Sequence, residues 1–165
     1  MTDMTNRRSR REFLAGTGVA AGAMAFASVA GAAEDGKAIK INAMSPTPEQ
    51  IQEFMALEHD GPIVMVNLLK FKPDGGAASY AKYGAAMVAI LKSIGARILF
   101  AGEARVCLIG DAEWDMIALV EYPNKLALIT MAQSAEYQAI HHHRKEGLEG
   151  QVNYAVIQSP RIGDD

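Results

Sequence analysis

The chain has 165 residues, half of them hydrophobic and 21% charged, which suits a single domain with one core and excludes a low-complexity or disordered chain. Its formal charge is −3, and because residues 1–32 carry four arginines against two acids, the remainder stands near −5. No basic run follows that segment, which excludes nucleic acid and an anionic membrane surface as principal partners.

The charged N-terminus ends in Ser9-Arg10-Arg11-Glu12-Phe13-Leu14, similar to the twin-arginine export consensus, with Ala15 in place of the usual lysine. Residues Ala15 to Val29 are apolar but rich in Ala and Gly, too short and too weakly hydrophobic for a stable membrane span. Ala30-Gly31-Ala32 supplies small residues for signal peptidase. Residues 1–32 are therefore expected to be a twin-arginine signal peptide, engaging that export machinery and leaving a periplasmic domain without a membrane anchor.

Residues 33–61 follow as an N-terminal arm and a short helix. Thr47-Pro48-Glu49-Gln50 carries a capping residue, a proline at the first helical position and a glutamine placed to complete a capping box. The domain proper is expected over 62–160. Ile63 to Lys72, bounded by prolines, is apolar on both faces and reads as a central strand with Asn67 as its one polar intrusion. Tyr80, Tyr83, Met87, Ile90, Leu91 and Ile94 recur at helical spacing up to Gly95. Ala96 to Ala101 and Glu103 to Ile109 read as one strand kinked at Gly102, with Cys107 as a buried small hydrophobe within it. Trp114 to Tyr122 forms the next strand. Lys125 to Glu149 is helical with an interruption at Ser134, and Gln151 to Gln158 closes the series.

The order β-α-β-β-α-β is the ferredoxin-like α+β arrangement, a four-stranded antiparallel sheet with its helices on one face. Leu68 and its alternating neighbours point one way, and Met65, Asn67 and Leu69 the other, so the helix-free face is apolar too. A homodimer packing two such faces together would bury them and enclose a cavity.

Met65 to Lys72 (MVNLLKFK), Tyr80-x-x-Tyr83-Gly84, Ala118 to Pro123 (ALVEYP), Ser134-x-Glu136-Tyr137-Gln138-Ala139-Ile140 and His143-Arg144 together resemble the bacterial domain of unknown function 1330 family, within the dimeric α/β-barrel superfamily. The resemblance implies the ferredoxin-like fold and dimerisation. It implies no particular reaction, and fold alone does not fix function.

Three histidines, His141-His142-His143, stand beside Arg144. Consecutive helical residues point about 100° apart, so the three imidazoles cannot share one metal; His142 with Glu146 would give two ligands, and no metal site is expected. His141 belongs to the stripe Tyr137, His141, Arg144, Leu148, whereas His143 shares a face with Ile140 and Glu136. The candidate catalytic residues are His143 as general base, with Arg144 and Asn67 holding an oxyanion. Tyr80, Tyr83 and Tyr137 are the candidate ligand-binding residues. The opposing structural readings are a solvated helix end for the histidines, an ion pair of Arg144 with Glu121, Glu136 or another acid, and packing for the tyrosines. No phosphate-binding loop, dinucleotide fingerprint, nucleophile elbow or Cys-x-x-Cys occurs, and no cofactor is expected. The expected function is an exported small-molecule-binding protein or cofactor-independent isomerase- or cyclase-like enzyme using the dimer cavity. The alternative is a non-catalytic periplasmic ligand-binding or protein-interaction module.

Overall fold

The computed structural model describes residues 43–159; the expected signal peptide, the rest of the arm before Ala43 and the chain beyond Ser159 lie outside the described residues. Helix α1 (Pro48–Met55) begins with the expected capping box: Gln50 N donates to Thr47 Oγ1 at 3.2 Å, and Thr47 N to Gln50 Oε1 at 2.9 Å. Its last carbonyls are met from afar, since the Lys125 ammonium donates to the carbonyls of Met55 and Leu57.

Strands β1 (Ile63–Phe71), β2 (Arg97–Glu103), β3 (Met116–Tyr122) and β4 (Leu148–Val156) make one antiparallel sheet in the order β2-β3-β1-β4. Helix α2 (Gly76–Ser93) connects β1 to β2, while α3 (Lys125–Gln133) and α4 (Ala135–Gly147) connect β3 to β4. The fold is thus the expected ferredoxin-like α+β arrangement, with the second helical region divided. Ser134, extended at ψ 149, closes α3 and caps α4 through Tyr137 N to its Oγ at 3.2 Å.

Ile63, Met87, Leu91, Ala96, Tyr122 and Met131 form the buried core between helices and sheet, and Met65 and Val120 pack against it. Pairing of Ile63 with Tyr122 and of Met65 with Val120 puts these four on the helix side. The period of two then sends Val66, Leu68, Ile117 and Leu119 to the other face, which Phe100, Tyr154 and Val156 extend as exposed side chains.

Two sequence expectations fail between β2 and β3. The β2 irregularity falls between Ile98 and Phe100, not at Gly102, and the strand stops at Glu103, leaving Ala104 to Ile109 outside it. The ladder ends at Glu103 opposite Met116, with one further bond from Ala104 N to Asp115 O at 3.0 Å. Asp115 turns to β1 instead: its amide donates to Leu69 O at 2.8 Å and its carboxylate accepts from Phe71 N at 2.7 Å. Residues 105–109 consequently have no partner strand. Cys107 is exposed, and Val106, Leu108 and Ile109 are 73%, 88% and 89% exposed.

The start of α2 and the end of α4 meet at two glycines. A Cβ on Gly147 would stand 2.8 Å from both Gly76 O and Tyr80 N, and one on Gly76 would stand 2.6 Å from Gly147 O. Backbone on both sides leaves nothing to yield. Gly147→Ala is therefore expected to lower unfolding free energy by about 1–3 kcal/mol, measured by urea denaturation, while Gly84→Ala, which meets open space, should not.

Candidate functional site

Tyr80 and Tyr83, one helical turn apart on α2, share a face and turn toward α4. Tyr137, His141 and Arg144 lie at i, i+4 and i+7 on α4, the stripe read from the sequence. Where the helices meet, the rings form a continuous series. Phe71 of β1 and Tyr80 have centroids 5.3 Å apart, Tyr80 and Tyr83 5.3 Å, Tyr83 and Tyr137 6.3 Å edge-on, and Tyr137 and His141 5.2 Å stacked. Tyr122 adds a buried phenol from β3, 6% exposed.

Arg144 is the cation of this cluster. Its charge reaches the phenols of Tyr80, Tyr83 and Tyr122, and among the described residues no carboxylate lies within ion-pair distance of it. Of the two acids weighed as partners from the sequence, Glu121 instead accepts from Arg97 Nε at 2.7 Å. The described contacts of the guanidinium are long: Nη1 stands 3.5 Å from Met44 O and 3.4 Å from His141 Nε2. A guanidinium only donates, so this His141 contact requires an Nε2 lone pair and a neutral imidazole. The electrostatics agree: burial lowers the His141 pKa, and the nearby Arg144 and Lys145 charges lower it further.

Burial raises the pKa of all three phenols that Arg144 faces. Tyr80 is pushed up to about 12, and Tyr83 and Tyr122 are raised as well; neighbouring phenols add to this while the Arg144 charge partly offsets it. All three therefore remain neutral hydrogen-bond donors near a cation, an arrangement suited to an oxyanion.

The structure brings Arg144, Tyr80, Tyr83 and Tyr137 together, and sets Asn67 and His143 elsewhere. Asn67 lies on the helix side of β1, where its amide donates to Met65 O at 2.9 Å and Ala118 O at 3.1 Å and its carbonyl accepts from Asn153 Nδ2. His143 is on another flank of α4. Its Nδ1 is buried without a hydrogen-bond partner, 3.5 Å from Glu146 Oε2, and Ser79 Oγ donates to both Glu146 Oε2 and His143 O. No group of three or more His, Cys, Asp or Glu among the described residues is arranged to hold a metal, and no helix among them is long and apolar enough to cross a membrane. A surface depression of about 440 Å³ lies away from the tyrosines, between the end of α2 and the start of β2, with Val88 and Ile98 in its walls.

Sequence reasoning missed Gln151 and Met44. Gln151 is 5% exposed, and its Nε2 donates to Met44 O at 3.4 Å. Its position in an apparently ordinary strand gave no signal, and the main-chain carbonyl of Met44 carries none.

The sequence profile of the family described as Domain of unknown function (DUF1330) matches residues 75–157. No curated protein matches the chain. Among solved structures, a protein of unknown function from Rhodopseudomonas palustris is 29% identical, with a TM-score of 0.65, over 72% of this chain and 99% of that one. Its methylated form gives 27% and 0.66, over 76% and 100%. A dimeric ferredoxin-like protein of unknown function from Jannaschia sp. CCS1, 13% identical with a TM-score of 0.50 over 59% of this chain and 100% of that one, shares the fold.

Above pH 10 an unfolded chain releases phenol protons that the folded one retains, so stability is lost as pH rises from 10 through about 12, the range set by Tyr80. Phenolate absorbance should accordingly show Tyr80, Tyr83 and Tyr122 silent past the ordinary tyrosine value of 10 in the folded protein. The Tyr80→Phe and Tyr83→Phe variants should then give the wild-type absorbance change until the protein unfolds.

Proposed function

The chain belongs to the DUF1330 family, and we propose that it is an exported homodimer that binds a small anionic carbonyl compound and acts on it by proton transfer without a tightly bound cofactor, as an isomerase or cyclase would. The observation that carries this reading is Arg144, a cation without a described carboxylate partner, placed among half-buried and buried neutral phenols. Such a cluster stabilises a carboxylate or enolate oxygen, because charge-assisted donors in a partly desolvated setting are strengthened relative to water. The rings of Tyr83 and Tyr137 supply apolar walls for the rest of the molecule.

The proton acceptor in this reading is His141. Its imidazole is neutral, stacked on Tyr137 and in contact with Arg144, and its lone pair becomes available when an anion takes the guanidinium. His143, directed toward Glu146, orders the junction of α2 and α4. The exposed Phe100, Tyr154 and Val156 on the helix-free face support the homodimer, since a second copy would cover them.

Two experiments test this. Native mass spectrometry of the protein purified from periplasm should give a dimer carrying a reproducible small mass, and Arg144→Met should lose that mass and keep the dimer. A wild-type dimer with no added mass contradicts the binding site, and a monomer contradicts the homodimer. For export, replacing Arg10 and Arg11 together by lysine should hold the uncleaved precursor in the cytoplasm. Unchanged recovery of the variant from periplasm would remove the twin-arginine assignment.

A further inference from the structure

Two donors from different elements converge on one oxygen. Arg144 Nη1 on α4 stands 3.5 Å from the Met44 carbonyl oxygen, and Gln151 Nε2 on β4 stands 3.4 Å from the same atom. Gln151 is the one polar residue in the buried class among the described residues. Pairing with Leu69 puts it on the helix side of the sheet, below α4. Among the described residues this amide finds only that long bond to a neutral carbonyl, and a buried amide so placed is poorly satisfied. Among the described residues the guanidinium beside it likewise makes only long contacts.

We propose that Arg144 and Gln151 form an oxyanion-holding pair, and that the Met44 carbonyl is a built-in placeholder for a ligand oxygen of carboxylate or enolate character. This rests on the reading of Arg144 as an anion site and adds the second donor and the group that the ligand displaces. Both distances exceed the usual 2.7–3.2 Å for such bonds by a few tenths of an ångström. An anionic oxygen would draw both donors to normal length, because charge-assisted bonds are shorter and stronger than those to an amide carbonyl.

The placeholder is lightly held, as displacement requires. Among the described residues, the segment around Met44 is fixed by one normal bond, Ala43 N to Gln151 O at 3.0 Å, and by the two long ones. Gln151 thus touches the segment twice, through its carbonyl at Ala43 and its side chain at Met44. A ligand oxygen that captures the side chain removes one of the two, so occupancy of the site loosens the Ala43 bridge.

The test uses benzoate with neutral benzamide as its control, followed by isothermal titration calorimetry, and amide hydrogen exchange at Ala43. Wild type should bind benzoate and not benzamide, and exchange at Ala43 should accelerate as benzoate binds. Gln151→Glu, which sets a carboxylate against the anion, should weaken benzoate binding about tenfold or more. Gln151→Met, of similar size and without charge, guards against a folding defect and should weaken it also. Without ligand, both Arg144→Met and Gln151→Met should speed exchange at Ala43. Unchanged benzoate affinity in both Gln151 variants, or unchanged exchange at Ala43 on binding, overturns the pair and leaves the Arg144 site standing. Unchanged affinity in Arg144→Met, or equal binding of benzamide, overturns the anion site itself, as does a wild type that binds no benzoate.

Discussion

Gly76 and Gly147 let the beginning of α2 and the end of α4 approach with only backbone between them. Everything at the site follows from that contact. Gly147 seats against the amide of Tyr80, so the first tyrosine of α2 is fixed relative to the last turn of α4, where Arg144 stands. From that point the helical repeat places Tyr83 against Tyr137 and Tyr137 against His141 without further instruction. A side chain at either glycine would wedge the helices apart at the cation end and open the ring series at its origin.

Close helix packing also creates the electrostatic tension of the site. The same burial that partly shields the phenols from water raises their pKa, and among the described residues Arg144 makes long contacts in place of a carboxylate. A structural ion pair would have satisfied the guanidinium, but Glu121 binds Arg97, Asp115 binds Lys70, and Glu146 takes Ser79. Neutral phenols and a neutral imidazole around an incompletely satisfied cation favour an added negative charge.

Much of this was legible in the sequence, for physical reasons. The α1 capping box, the apolar run of β1 and the stripe of α2 are local signals, and each element formed within a residue or two of its expected place. The stripe Tyr137, His141, Arg144 was readable because helical spacing alone sets it. Residues 105–109 were misread because β-branched composition describes a strand's preference and says nothing about whether a partner is available. Asp115, committed to β1, ends the ladder before them. Asn67 was legible as a polar intrusion in an apolar strand, but not that backbone carbonyls and Asn153 would satisfy it. Gln151 and the Met44 carbonyl were beyond reach, since their meeting joins residues more than a hundred positions apart through a main-chain atom.

The account turns on whether the Arg144 guanidinium is the place where an anion binds. Nitrogen-detected NMR of the arginine side chains during a benzoate titration addresses this atom by atom. The account predicts that the Arg144 Nη resonances shift and their exchange by bond rotation slows, while Arg97, already paired with Glu121, stays unchanged. Uniform small shifts across all arginines, with Arg144 rotating as freely at saturation as before, would contradict it.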